Sequence, residues 1–176
     1  IREGGCLSIY KDCLSSLMIN SIKSDLKIIA LVSDLNLFKE YINNFIFIEF
    51  KLSKLSWIMR LYYEYIYFYF FSLRNKPDIW ISLHDITPNV FAKKRIVYCH
   101  NSTPFFKTNI SEIKYSIVVF LFSKFYKYLY RININKNNLV IVQQNWLRDN
   151  FVKIFNLPKN KIIVANPSIR NLNINY

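Results

Sequence analysis

The stretch from Asp78 to Phe106 constrains the fold most, because two apolar runs alternate in it with turn residues. The first run, Asp78–His84 (DIWISLH), and the second, Arg95–His100 (RIVYCH), are rich in β-branched and aromatic residues and predict strands. The two histidines of the sequence end these two runs. Since ligands of parallel α/β sheets bind at the carboxyl ends of the strands, this pattern predicts a site there.

The rest of the chain alternates apolar runs with helical patterns, which predicts an α/β fold with a Rossmann-like, doubly wound and mostly parallel sheet. Further strands are expected at Leu26–Ser33, Phe45–Phe50, Leu139–Gln143 and Lys161–Ala165, and helices at Ile1–Ser24, Lys51–Asn75, Ser111–Arg131 and Asn145–Asn156, the last with Asn145 as N-cap. A doubly wound domain normally begins with a strand, and no strand precedes the glycine pair Gly4-Gly5. We therefore expect a missing first strand and a natural chain that extends further.

Length and charge limit the function classes. The 176 residues suffice for one domain with a real core, and the net charge of +13 favours anionic partners such as phosphates, acidic lipids or nucleic acid. No nucleic-acid-binding motif accompanies the charge, so nucleic acid is not the expected partner. Three cysteines without metal-ligand spacing predict a reducing compartment and no disulfide framework.

No membrane span is expected. The apolar stretches Leu61–Leu73 and Tyr115–Phe122 are shorter than the ~20 residues that a spanning helix needs. A zinc site built from Cys99 and His100 is also not expected, because adjacent residues of a strand point to opposite faces. The expected location is the cytoplasm, either free or peripherally attached to the inner membrane face.

Five short motifs, in this order, resemble the N-terminal half of a GT-B glycosyltransferase of the glycosyltransferase 4 type. The motifs are Gly4-Gly5, Asp78–Asp85, Tyr98–Phe105, Val142–Leu147 and Ile162–Pro167. The resemblance implies that residues 1–166 form an acceptor-binding, Rossmann-like domain and that 167–176 begin a linker to a nucleotide-sugar-binding domain. It also implies that the partners are a nucleotide-sugar donor and a glycan or lipid-linked acceptor, with no further cofactor and no metal.

By this resemblance the chain belongs to a retaining, hexosyltransferase-like enzyme of surface polysaccharide or glycolipid synthesis, and is inactive alone. His100 would face the transferred sugar or the acceptor, while His84 and Asp85 would orient an acceptor hydroxyl or act as a base. Gly4 and Gly5 would allow close approach of the donor. Asn101, Ser102, Thr103 and Gln144 are the remaining candidates for substrate contact.

Each of these residues also has a purely structural interpretation. A histidine after a strand can hydrogen-bond the next loop, and Asp85 can cap that loop. Asn101, Ser102 and Thr103 can form an Asx or ST turn before Pro104.

The helix predicted over Ser111–Arg131 carries Lys124, Lys127 and Arg131 on one face. This face is either a solvated edge of a core helix or a contact with an anionic membrane.

Two alternative functions stay open for the chain. One is a non-catalytic, basic membrane-surface or interaction domain, and the other, with less support, is a nucleic-acid-binding module.

Overall fold

The computed structural model describes residues 5–21, 26–105 and 125–166. The chain groups into two compact units, of which the first is Ile1–His84 with Pro88–Lys93 and the second is Asp85–Thr87 with Lys94–Tyr176. Both units combine helices with strands, and the strand pairs within each unit are parallel. The predicted α/β class with parallel strands is thereby confirmed.

The first unit begins with a helix packed on a parallel strand pair. Its first elements are α1 (Gly5–Ser21), β1 (Ile29–Val32), a 3-10 segment (Leu35–Tyr41) and β2 (Ile46–Glu49). Ile29 lies opposite Ile46 and Val32 opposite Glu49. Apolar side chains from all four segments, or next to them, bury one another: Leu14, Ala30, Val32, Phe38, Tyr41 and Phe45.

An aromatic helix follows in the same unit. A 3-10 segment (Lys51–Lys54) leads to α2 (Trp57–Tyr62), a π turn (Tyr63–Tyr67), α3 (Phe68–Asn75) and then β3 (Ile79–Ser82). The predicted helix over Lys51–Asn75 is thus confirmed from Trp57 onward. It begins late because the Ser56 side chain accepts a hydrogen bond from the Met59 amide and caps the helix there.

In the second unit three parallel strands lie side by side. They are β4 (Lys94–Cys99), β5 (Leu139–Val142) and β6 (Ile162–Val164), with Ile96 opposite Leu139 and Val140 opposite Ile162. Helices α4 (residues 125–131) and α5 (Asn145–Phe155) contribute to their core. The core includes Val97, Cys99, Tyr130, Val140, Val142, Phe151 and Phe155.

Asn145 is not the N-cap of α5: that position belongs to Gln144, whose backbone is extended and whose side chain caps no amide. Asn145 is already helical, so its side chain cannot take the cap geometry. Of the helix predicted over Ser111–Arg131, only residues 125–131 lie in the described part of the chain.

Of the two apolar stretches, Leu61–Leu73 is described and Tyr115–Phe122 lies outside the described residues. None of the helices in residues 5–21, 26–105 and 125–166 combines the length and apolarity that crossing a membrane requires. Cys99 is buried in β4, whereas Cys6 and Cys13 are half-buried on α1.

Candidate functional site

The carboxylate of Asp85 organises the segment that follows β4. Asp85 is 4% exposed, and its Oδ1 accepts hydrogen bonds from the amides of His100 (2.7 Å) and Asn101 (3.1 Å). Its own amide donates to the carbonyl of Tyr98 at 3.1 Å. The backbone of Asp85 is left-handed, with φ 71°, a conformation that aspartate tolerates better than most residues. Asp85 therefore fixes the chain direction at the end of β4.

His100 is the first residue after β4 and is half-buried. Its Nδ1 lies 3.2 Å from Asp85 Oδ1, and its ring stacks on the ring of Tyr98 with centroids 6.2 Å apart. The imidazole is thus held on two sides by groups that orient it.

Two tyrosines of α4 complete this arrangement. The Tyr130 hydroxyl donates to Asp85 Oδ1 at 2.7 Å and lies 3.0 Å from the carbonyl oxygen of Asn101. The Tyr126 hydroxyl donates to Asp85 Oδ2 at 3.4 Å. Both side chains are buried. Our sequence analysis missed them, although two tyrosines four residues apart in an apolar helix indicate hydroxyls that share one face and need partners.

The negative charge of Asp85 also affects its neighbours. Burial, and then the charge of Asp85, raise the pKa of Tyr130 well above its ordinary value. The same two causes, in the same order, raise the pKa of Cys99. Tyr130 and Cys99 are consequently neutral at physiological pH, and this thiol lacks the thiolate character that nucleophilic cysteines need.

The polar residues after His100 form a compact turn. Asn101 Oδ1 accepts from the amide of Thr103 at 3.0 Å, which is an Asx turn, and the Ser102 carbonyl accepts from the Phe105 amide at 3.0 Å. A 3-10 segment, Thr103–Phe105, follows. The Asx turn that the sequence allowed is present, and all three predicted contact residues remain half-buried.

His84 belongs to the first unit and has a different carboxylate partner. It lies two residues after β3, and its Nε2 is 2.5 Å from Oε1 of the buried Glu64. Arg60 Nη2 donates to the His84 carbonyl at 3.4 Å. The prediction that His84 and His100 share one sheet edge stays a prediction, because the two histidines lie in different units.

Glu64 is a residue that our sequence analysis did not single out. It lies in the π turn, where its carbonyl accepts from the Asn89 amide at 2.9 Å. Among the described residues, its second carboxylate oxygen, Oε2, and the hydroxyl of Tyr65 are buried without a hydrogen-bond partner. Burial, and then the charge of Glu64, raise the pKa of Tyr65 to about 12, against a smaller opposing effect of Arg60. The sequence signal was a lone acid inside an aromatic helix.

The glycine and glutamine candidates lie elsewhere. Gly4 is outside the described residues, and Gly5 begins α1, where an added Cβ would meet nothing within 4 Å. Gln144 is exposed at the start of α5, and its side-chain oxygen accepts from the indole of Trp146. Their assignment to substrate contact stays a prediction.

The basic residues predicted to contact a membrane are partly described. Lys124 lies outside the described residues, Lys127 is half-buried with its amine 5.3 Å from the ring centroid of Tyr128, and Arg131 is exposed.

Within the described ranges, no group of three or more His, Cys, Asp or Glu side chains could hold a metal ion. The predicted residues that the structure brings together are therefore Asp85, His100, Asn101 and, through the Asx turn, Thr103.

Comparison with known proteins adds no relative. A scan against protein-family models, a search of curated proteins and a search of solved structures each gave no match.

Proposed function

We propose that this chain is the acceptor-side part of a glycosyltransferase that resembles the glycosyltransferase 4 type. It would transfer a sugar from a nucleotide-sugar to a glycan or lipid-linked acceptor in surface polysaccharide or glycolipid synthesis. The observation that carries the proposal is the oriented imidazole of His100, held next to Asp85 directly after a strand of a parallel sheet. The order of the sequence motifs supports it.

In this proposal His100 contacts the transferred sugar or the acceptor. In the neutral tautomer that carries its proton on Nδ1, the atom 3.2 Å from Asp85 Oδ1, the lone pair lies on Nε2, where it can accept a hydrogen bond from a sugar hydroxyl. A neutral imidazole near pH 7 is suited to this and to proton transfer.

In this proposal Asp85 is a positioning residue. Three donors already converge on its Oδ1, so the carboxylate is better suited to holding His100 than to taking a proton from substrate. The role of a base, which the resemblance also allows for Asp85, is the less favoured of its two roles. The donor diphosphate would be bound mainly by a second Rossmann-like domain, and residues 1–176 alone would not turn over donor.

A second candidate function is a non-catalytic, basic domain that binds a membrane surface. It is favoured by the net charge of +13 and by large apolar side chains that are exposed on the aromatic helix of the first unit. A domain of this kind would retain membrane binding but show no transfer with any sugar donor.

The test uses protein expressed from the complete reading frame, supplied with nucleotide-sugars and a membrane extract as acceptor source. His100→Ala should lower kcat by roughly 10²–10⁴-fold with little change in melting temperature. His84→Ala is the matched comparison and should cost less activity. Normal turnover in a His100→Ala protein that melts earlier would contradict the role of His100, and absence of transfer in the wild type would favour the second candidate.

A further inference from the structure

The aromatic helix formed by α2, the π turn and α3 carries two opposite rows of side chains. One row repeats every four residues and is buried or half-buried: Arg60, Glu64, Phe68 and Ser72. The other row, here the apolar row, has the same repeat and is exposed by 78%, 43%, 50% and 64%: Ile58, Tyr62, Ile66 and Phe70. Isolated exposed apolar residues are normal on protein surfaces, whereas a continuous row is typical of a binding surface.

The π turn keeps both rows straight. In an α-helix, four residues overshoot one full turn by about 40°, so side chains repeating every four residues drift around the axis. The wider turn at Tyr63–Tyr67 takes up part of this drift in the middle of the helix. As a result Glu64 stays on the buried side while Ile66 and Phe70 stay on the exposed side with Ile58.

Charges are excluded from the apolar row and placed at its ends. Between Trp57 and Leu73 the charged residues are Arg60 and Glu64, and both belong to the inner row. The next position of the apolar row is Arg74, which is exposed, and the exposed Lys76 follows as the helix C-cap. At the other end, the side chain of Lys51 is 79% exposed, with its amine 3.5 Å from Glu49 Oε2.

We propose that the apolar row lies in the headgroup region of an anionic bilayer, with the basic residues at both helix ends facing lipid phosphates. Interfacial helices combine such an apolar face with Trp, Tyr, Lys and Arg at its borders. The charge pattern distinguishes lipid from a second copy of this chain: a chain with net charge +13 repels its own copy, whereas an anionic surface attracts it.

This surface differs from the one that the basic pattern predicted. In α4, Lys127 is half-buried over a tyrosine ring and Tyr126 and Tyr130 are turned into the core. The apolar row of the aromatic helix has four exposed members and lies within the first unit, whereas the described part of α4 exposes Phe125 and Tyr128. The proposal does not depend on glycosyl transfer, because its test measures binding and not activity.

The test measures cosedimentation of the purified chain with vesicles of phosphatidylglycerol and phosphatidylcholine, and with vesicles of phosphatidylcholine alone. The double variant Ile58→Ser, Phe70→Ser should bind the anionic vesicles on the order of 100-fold more weakly. The matched control, Ile79→Ser with Phe91→Ser, changes one isoleucine and one phenylalanine that are each 53% exposed outside the row. The control should bind as the wild type does, and circular dichroism and urea unfolding confirm that both variants fold.

The basic end is tested separately. Arg74→Gln should weaken binding to the anionic vesicles about fivefold, leave binding to neutral vesicles unchanged and reduce the salt dependence. Lys159→Gln, an exposed cation of the second unit, is the control and should have no effect of this size. Vesicle binding that survives the Ile58, Phe70 double variant would overturn the proposal. So would a dimer that this variant abolishes in a protein that does not bind vesicles, since the row would then be a protein interface.

Discussion

The two histidines each pair with a buried carboxylate, but the two carboxylates are used differently. Around His100, Asp85 Oδ1 receives two backbone amides and the Tyr130 hydroxyl, so it binds the loop as well as the imidazole. Around His84, Glu64 Oε1 contacts the imidazole, and Oε2 is buried without a partner among the described residues. The first carboxylate is saturated with donors, whereas the second is half satisfied.

Burial of a charge therefore has no fixed effect on stability. A buried carboxylate costs several kcal/mol of lost hydration, which only well-placed donors offset. Asp85 has such donors, so removing its charge should release the loop after β4. Glu64 has fewer, so removing its charge should leave the fold nearly unchanged. The same chemical substitution at the two sites tests the comparison.

The largest effect is expected at Asp85. Asp85→Asn should lower the free energy of unfolding by about 2–4 kcal/mol, because the hydrogen bonds to Oδ1 lose their charge assistance. Asparagine tolerates the left-handed backbone at this position, so the loss would not arise from strain. Urea unfolding at neutral pH measures it. Asp149→Asn, whose side chain is 63% exposed in the same unit, should change stability by less than about 0.5 kcal/mol. Equal effects at the two positions would show that Asp85 is not the organiser of the loop.

The next largest effect should come from the tyrosine that binds Asp85. Tyr130→Phe removes the hydroxyl that lies 2.7 Å from Asp85 Oδ1 and 3.0 Å from the Asn101 carbonyl, and should cost about 2 kcal/mol. Tyr126→Phe removes a 3.4 Å hydrogen bond and should cost less. Urea midpoints of the two variants, compared in one buffer, give the order. The reverse order would mean that Oδ2, and not Oδ1, anchors the carboxylate.

Much of the fold could be predicted from the sequence, because short runs of neighbouring residues signal the strands. The runs Leu139–Gln143 and Lys161–Ala165 each hold an unbroken apolar stretch rich in Val and Ile, which is typical of a strand in a parallel sheet. They appear as β5 and β6, shortened by one or two residues where polar side chains begin. Helix starts were less predictable, since the cap at Gln144 has no side-chain signal.

The candidate site was predictable only in part. His100 and Asn101 were found because they follow a strand, and the Asx turn is local chemistry. Tyr130 meets Asp85 across 45 residues of sequence, and no local pattern reports such a contact. The π turn at Glu64 also has no sequence signature, because it depends on how the buried row packs.

A smaller, pH-dependent effect should come from Tyr65. Burial and Glu64 raise its pKa from 10.0 to about 12 in the folded chain. Below pH 10 the phenol is neutral in both states and its full contribution to stability is present. Between pH 10 and 12 the unfolded phenol ionises while the folded one stays neutral, so stability falls as pH rises. Tyr65→Phe should therefore lose less stability than the wild type between pH 9 and pH 11. Parallel pH curves of the two proteins would contradict the raised pKa. Half-buried Tyr10 and buried Tyr130, whose pKa values are also raised, contribute equally to both curves.

The smallest change in stability is expected at Glu64, and it decides the comparison between the two carboxylates. Glu64→Gln removes a buried charge whose Oε2 has no partner among the described residues, while the amide oxygen can still accept from His84 Nε2. The neutral amide has a smaller desolvation penalty than the carboxylate, but its hydrogen bond to His84 loses charge assistance. These two effects oppose each other, so the free energy of unfolding should change by less than about 1 kcal/mol.

The matched control for this variant is Glu49→Gln in the same unit. Glu49 Oε1 accepts from the Leu35 amide at 3.0 Å and its Oε2 lies 3.5 Å from the Lys51 amine, so both oxygens have partners. This variant should lose about 1 kcal/mol or more, in urea unfolding at neutral pH. In Glu64→Gln, the ¹⁵N chemical shifts of the His84 ring should change and those of His100 should stay, which separates an altered imidazole from a general loss of structure. A loss above about 2 kcal/mol for Glu64→Gln would mean that the pair with His84 stabilises the fold as strongly as Asp85 does, and the contrast between a saturated and a half-satisfied carboxylate would then be wrong.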